Sequence, residues 1–313
     1  MQPRSKWATT AAVAALTLVA AGCGSSSKSG SSTTTQPASP AATTTTAPPG
    51  PPNVTITATD YAFSGVPATL PAGVQHFTFV NKGSVSHEMA FLKVTSNANT
   101  TQIFQGVQKV FNGGVYPTSF IGLNGVHDTQ PGHTTVTEFN LTPGQYVALC
   151  SDTGVVGSSK DGPPHFTRGM FKRVTVTGTG GTTEPTADVT LTAHDYGFDT
   201  SQLKAGTQTV LFKNIGPKQW HFADILEFPK GVTVAQAQTD VTKLLASQGP
   251  PPAGVPTSTD LGGSQAASPG SANTFSLTLA KGRTYVVLCF ISDRQGGPPH
   301  AIAHHMYKIF TVS

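Results

Sequence analysis

The sequence predicts an all-β chain of two tandem Greek-key β-sandwich domains, each with one short helix. Three observations carry that expectation. Only 11% of the 313 residues are charged, while 33 Gly and 24 Pro punctuate a chain rich in Thr, Ser and Val, a composition suited to strands and tight turns. Short runs such as Val54-Thr55-Ile56-Thr57-Ala58 alternate apolar and polar residues, as half-buried strands do. The second half of the chain repeats the first over a unit of roughly 125 residues, far longer than the period of a solenoid.

From Asn53 the pattern runs as follows. Val54–Ala58 is a strand, and Tyr61 and Phe63 follow it. Turns fall at Ser64-Gly65-Val66-Pro67 and Leu70-Pro71-Ala72-Gly73. His76–Val80 and Met89–Val94 are further strands. In residues 99–112, Ile103, Val107, Val110 and Phe111 fall at helical spacing. Residues 113–132 read as loop. Val136, Phe139 and Leu141 lead through a Thr-Pro-Gly turn to Tyr146–Cys150, and Phe171–Val176 closes the unit. In the repeat, Asp195-Tyr196-Gly197-Phe198 answers Asp60-Tyr61-Ala62-Phe63, Asn214-Ile215-Gly216 answers Asn81-Lys82-Gly83, and His221 answers His87. Residues 233–246 fall where the first helix fell, and Tyr285 and Cys289 answer Tyr146 and Cys150. Domains are expected at 53–178 and 187–313, with 179–186 as linker. Tyr61 and Tyr196 are expected in the cores, Trp220 as packing, and His76, His127, His133 and His194, which have no counterparts across the repeat, at the surface or in loops.

The N-terminus carries a different signal. Arg4 and Lys6 precede an apolar run too short for a stable transmembrane helix, the layout of an export signal over residues 1–22. Leu18-Val19-Ala20-Ala21-Gly22-Cys23 resembles the bacterial lipobox, which implies lipidation of Cys23 and anchoring at the outer face of the cell membrane. Residues 23–52, rich in Ser, Thr and Pro, read as a disordered tether. Net charge is +4 with Lys and Arg scattered singly, so no nucleic-acid partner is expected.

The most informative stretch is Cys150 to Met170, which places Cys150, His165 and Met170 on one loop after a strand. It recurs as Cys289, His300 and Met306. Cys, His and Met are soft-metal donors, and two His, one thiolate and a weak axial Met form a blue-copper electron-transfer site. His87 and His221, each after an early strand, supply the missing imidazoles. A disulfide between Cys150 and Cys289 is the plainer alternative for an exported chain, but equivalent positions in separate repeats seldom face each other.

Both units resemble cupredoxins, the small blue-copper proteins. The resemblance rests on Phe79-Val80-Asn81-Lys82-Gly83 leading to His87 and on Pro164-His165-Phe166-Thr167-Arg168-Gly169-Met170. It implies one type 1 copper site per domain, held by His87, Cys150, His165 and Met170 in the first and by His221, Cys289, His300 and Met306 in the second. The first is the closer match to the pattern. Cys150 precedes His165 by fifteen residues and Cys289 precedes His300 by eleven, both long for the family. His300 to Met306 is one residue longer than His165 to Met170, which makes His304 and His305 rival ligands. Glu88 and Phe222 stand where many members have Asn.

The expected function is membrane-anchored extracytoplasmic electron transfer with a redox partner protein that the sequence does not identify. Copper storage or transfer and a metal-free β-sandwich binding module are the other classes. An enzyme is not expected. No His flanks either Cys, and no His-x-His, Gly-x-Ser-x-Gly or His-Glu-x-x-His occurs.

Overall fold

The computed structural model describes residues 53–180, 183–247 and 252–313. The export signal, Cys23 and the tether lie outside them. The first repeat holds nine strands: β1 (Asn53–Thr59), β2 (Ala62–Ser64), β3 (Thr69–Pro71), β4 (Gly73–Asn81), β5 (His87–Val94), β6 (Phe120–Thr129), β7 (Thr134–Leu141), β8 (Gly144–Leu149) and β9 (Phe171–Thr177), with helix α1 (Thr100–Phe111). The second holds β10 (Val189–His194), β11 (Gly197–Asp199), β12 (Gly206–Asn214), β13 (His221–Glu227), β14 (Thr259–Ala267), β15 (Ala272–Leu279), β16 (Thr284–Leu288) and β17 (Tyr307–Thr311), with helices α2 (Val234–Ser247) and α3 (His300–Ala303). No helix among the described residues is long and apolar enough to cross a membrane.

Each repeat is a two-sheet Greek-key sandwich in which the chain crosses repeatedly from one sheet to the other. In the first, β7-β4-β1-β2 faces β3-β9-β8-β5-β6; in the second, β11-β10-β12-β15 faces β14-β13-β16-β17. Strand β4 alternates buried and half-buried residues and turns Phe77 and Phe79 inward. There they meet Ile56, Phe91 and Phe139, with Phe77 and Phe139 stacked at 4.7 Å. Strand β5 is buried on both faces. One face looks into this core, and the other is covered by α1 through Ile103 and Val107. A strand covered twice reads as a continuous apolar run, which is what Met89–Leu92 shows. Helix α1 begins where expected because Asn99 and Gln102 form a reciprocal capping box.

Residues 113–132 depart from the expected loop: Phe120–Thr129 is the ten-residue strand β6. Gly122 and Gly125 interrupt its apolar alternation, and the chain needs the second of them. A Cβ on Gly125 would collide with the Met89 carbonyl of the neighbouring strand. The two sandwiches meet along β6 and β7 on one side and β14 and β15 on the other. Strands β7 and β15 pair at Phe139 and Asn273, which joins the inner sheets into eight continuous strands. The seam is polar and satisfied. Asn124 Nδ2 donates to the Ala272 carbonyl at 2.9 Å, Asn273 Nδ2 donates to Asn124 Oδ1 at 2.8 Å, and Thr137 Oγ1 donates to the Thr274 carbonyl at 2.7 Å.

Phe139 lies fully buried where the first core reaches this seam. Phe139→Ala is expected to lower unfolding stability by about 3–5 kcal/mol, read as a shift in urea midpoint. A loss below about 1 kcal/mol would mean that the site collapses around the gap.

Candidate metal centres

In each domain one end of the sandwich gathers a His from the start of a strand with a Cys and a second His from the loop after the penultimate strand. His87 opens β5, Cys150 follows β8, and His165 starts a 3-10 turn over His165–Arg168. His221 opens β13, Cys289 follows β16, and His300 starts α3. Both trios are buried, and within each the ligand atoms lie within 4.8 Å of one another. Cys150 Sγ is 3.8 Å from His87 Nδ1 and 3.5 Å from His165 Nδ1, and the two Nδ1 atoms are 3.1 Å apart. In the second domain Cys289 Sγ is 3.9 Å from His221 Nδ1 and 3.5 Å from His300 Nδ1. Cys150 and Cys289 are both free thiols, so the disulfide alternative falls.

The loops are held by the same main-chain lattice. Cys150 N–H donates to the Met170 carbonyl at 3.2 Å, Met170 N–H to the His165 carbonyl at 3.1 Å, and Phe166 N–H to the Cys150 carbonyl at 2.8 Å. The second loop repeats these bonds through Cys289, Met306, His300 and Ala301 at the same three distances. Met170 and Met306 are fully buried beside their trios in the sequence-expected positions. The extra residue between His300 and Met306 is absorbed at the loop's close. Gly169 with φ 127° ends the first turn, whereas His305 with φ 51° follows the α3 cap in the second. His304 is not a rival ligand here. Its ring stacks on Tyr196 at 3.7 Å, and its Nε2 meets Asp293 at 2.9 Å. His305 is exposed.

All the imidazoles present Nδ1 to the trio and Nε2 to an outer acceptor. His165 Nε2 donates to the Gly154 carbonyl at 2.7 Å, His87 Nε2 lies 3.1 Å from Asp60, and His221 Nε2 lies 2.9 Å from Asp195. His300 Nε2 is 3.2 Å from Asp293, at ion-pair distance but outside hydrogen-bond alignment. Acceptors at Nε2 select the Nε2–H tautomer and leave the Nδ1 lone pairs facing the thiol. Burial lowers the affinity of His87 and His221 for a proton, opposed by Asp60 and Asp195 respectively. Burial also brings His165 and His300 down to about 4, so both rings are neutral at physiological pH. The Cys150 thiol is pushed well above its ordinary value, first by burial and then by the Asp152 and Glu88 carboxylates. Neutral imidazoles and a thiol that ionises only against a compensating cation are what a metal of the copper type requires. The donor sets fit copper twice over.

Four groups that the sequence reading did not place at the metal centres complete the sites. Asp60 holds His87 and also accepts from the Ser84 backbone N–H at 2.8 Å. Gly83 is obligatory, since a Cβ there would sit 2.8 Å from His87 Nε2. Tyr61 and Tyr196 are half-buried, and each packs against its domain's core, as expected, while also bordering the site. Tyr61 meets the His165 ring edge-on at 4.8 Å under the Arg168 guanidinium at 3.3 Å, and Tyr196 meets His300 at 5.1 Å. Trp220 is packing, as expected, edge-on to Tyr116 at 5.1 Å. The long excursion between Cys150 and His165 folds back on itself through a bridge between Gly154 and Asp161. Its Gly154 carbonyl caps His165, and its Val156 N–H donates to the Tyr61 hydroxyl at 3.1 Å. The insert therefore roofs the first site.

Glu88 distinguishes the first site from the second. Its backbone N–H donates to Cys150 Sγ at 3.4 Å. Its carboxylate, 2% exposed, accepts from Ser151 Oγ through one oxygen and from Gln265 Nε2 of the other domain at 2.6 Å through the second. Phe222 occupies the equivalent place in the second domain and is also buried.

No family model and no curated protein matches the sequence. Solved structures do. A dithionite-reduced auracyanin from the photosynthetic bacterium Roseiflexus castenholzii matches at 20% identity and a TM-score of 0.29, covering 41% of this chain and all of its own. A multicopper oxidase matches at 14% identity and a TM-score of 0.24, over 83% of this chain and 88% of its own. A copper nitrite reductase from Nitrosomonas europaea matches at 16% identity and a TM-score of 0.23, over 84% and 94%. The cupredoxin-like fold expected from the sequence stands in both domains, in the two-sheet architecture and its pair of His-Cys-His sets. The expectation that the chain is not an enzyme is corrected: the proteins matched over more than four fifths of this chain include a multicopper oxidase and a copper nitrite reductase. The absent His-x-His pairs tested for only one kind of additional copper centre.

Glu88→Ala strips Ser151 and Gln265 of a buried acceptor, and stability is expected to fall by about 2 kcal/mol in urea unfolding. Glu88→Gln, which keeps an acceptor oxygen, is expected to recover part of the loss. Equal stability of Glu88→Ala and the parent would show that the seam rearranges around the deletion.

Proposed function

We propose that this protein is a membrane-anchored, extracytoplasmic electron-transfer protein with one type 1 copper site per domain. The observation that carries the reading is the recurrence of a buried His-Cys-His trio with a buried Met on the same loop, in two domains that share little else in their loop lengths. His87, Cys150, His165 and Met170 would hold the first ion, and His221, Cys289, His300 and Met306 the second. Copper bound there supplies reversible one-electron chemistry.

The chain's own contribution is to keep the ligands still and dry. Cys150 and Cys289 sit at strand ends, where the lattice to Met170 and Met306 fixes the backbone. Asp60, Asp195 and the Gly154 carbonyl fix three rings, and complete burial of all eight ligand side chains excludes water. Ligands that barely move between oxidation states keep the cost of reorganisation low. The apolar leader and Cys23 support export and lipid anchoring, with residues 23–52 spacing the domains from the membrane. A redox protein that docks over one of the capped ends is the partner this arrangement suits.

Loading with Cu(II) is expected to give two copper ions per chain by metal analysis and an intense visible thiolate-to-copper absorption. Cys150→Ser and Cys289→Ser are each expected to remove one ion and that site's share of the colour. Failure to retain copper, or colour unchanged in the double variant, would overturn the assignment.

A further inference from the structure

Glu88 and Gln265 meet at a place defined by the repeat. His87 pairs with Thr129 of β6, and His221 pairs with Ala267 of β14. Two residues before those partners stand His127 and Gln265. Each crosses the seam to the residue that follows the other domain's first His. His127 stacks on Phe222 with ring centroids 6.4 Å apart, whereas Gln265 Nε2 donates to Glu88 Oε2 at 2.6 Å. One geometry thus brings an aromatic pair to the second metal centre and a carboxylate with its donor to the first.

Gln265 is held in one orientation and is 4% exposed. Its Oε1 accepts from the Ala266 N–H at 2.8 Å, which leaves Nε2 as the donor, and Nε2 also reaches the Val126 carbonyl at 3.2 Å. Its own carbonyl accepts from Asn273 Nδ2 at 3.0 Å. Ser151 anchors Glu88 from the other side, its N–H donating to Oε1 at 3.2 Å. Ser151 directly follows Cys150 and Glu88 directly follows His87, so the carboxylate lies against the backbone of two ligands. Charge and hydrogen bonding around a ligating sulfur set the potential of a metal site. A nearby anion favours the oxidised, more highly charged ion.

We infer that Glu88 lowers the reduction potential of the first site, and that Gln265 of the second domain is the positioning residue that keeps its carboxylate there. The inference rests on the copper reading above. The bond from Glu88 N–H to Cys150 Sγ belongs to the main chain, so exchanging the side chain isolates the charge. The second site, with Phe222 at the matched place, lacks this control.

In the full chain carrying Cys289→Ser, the first site alone contributes colour, and its midpoint potential is read from that absorption. Glu88→Gln is expected to shift its preference toward Cu(I) about tenfold, which is about 59 mV upward. Gln265→Met, which cannot donate, is expected to raise the potential too and to add nothing on top of Glu88→Gln. In the chain carrying Cys150→Ser, both substitutions are expected to leave the second site's potential unchanged. Without metal, the urea midpoints of the two single variants and the double variant are expected to be non-additive. Should Gln265→Met not fold, Glu88→Gln decides alone through its potential. Three results overturn the proposal and leave the copper reading standing: an unmoved potential with copper retained, a Gln265→Met rise undiminished in the Glu88→Gln background, or additive urea midpoints. A parent chain that retains no copper by metal analysis overturns both.

Discussion

The hydrogen bond from the cysteine amide to the methionine carbonyl, with its two companions, is the constraint on which each site depends. It ties the end of the penultimate strand to the start of the last one. That closure leaves the intervening chain no route except outward and back over the end of the sandwich. The residue after the His donates its amide to the Cys carbonyl, and the His ring faces the thiol. Because the lattice is made of main-chain groups, it tolerates different side chains and different loop lengths. Cys and His lie fifteen positions apart in one domain and eleven in the other, yet the same three distances recur.

What surrounds that lattice is where the domains part company. The first site spends its longer loop on a roof: Gly154 caps His165, and Tyr61 is fixed by Val156 below and covered by Arg168 above. The second has no such length and uses side chains instead. Asp293 bonds His304 and Tyr196 and approaches His300. Burial pushes the Asp293 carboxyl up, but the bonds from His304 and Tyr196 outweigh it and leave it below its ordinary value. A neutral peptide carbonyl beside one ligand ring and a carboxylate beside the other are different electrostatic settings for the same donors.

The ligands were legible because soft donors are rare in this chain and recur at matched places. With three Cys and four Met in 313 residues, the alignment of Cys150 with Cys289 and Met170 with Met306 is hard to produce by packing alone. Strand pattern and helical spacing likewise exposed β1, β4, β5 and α1. Strand β6 was hidden because Gly125 is demanded by the close approach of β5, and that glycine erases the alternation that marks a strand. Asp60 and Asp195 were visible as part of a repeated Asp-Tyr motif, but their bond to a His many residues away is a property of the fold. Tyr61 and Tyr196 were half legible: an aromatic after a strand reads as core, and each does pack on its core, but only the tertiary structure also brings it against a ligand ring.

Gln265 marks the limit of such reading. It stands 177 residues from Glu88, has no counterpart role in the other repeat, and acts across a seam that exists only after both domains have folded. The duplication that made the ligands easy to find makes this contact hard to find, since it breaks the symmetry. A buried carboxylate is costly without donors, so Glu88 is retained beside Cys150 only because Ser151 and the second domain both donate to it. The first site is thereby built from both domains, whereas Phe222 makes no such carboxylate demand on the first domain. Coupling through the seam reaches both sites: Gln265 holds the carboxylate beside Cys150, while Tyr116 N–H donates to the Arg294 carbonyl and Gly297 N–H to the Gly113 carbonyl, tying the first domain to the loop between Cys289 and His300.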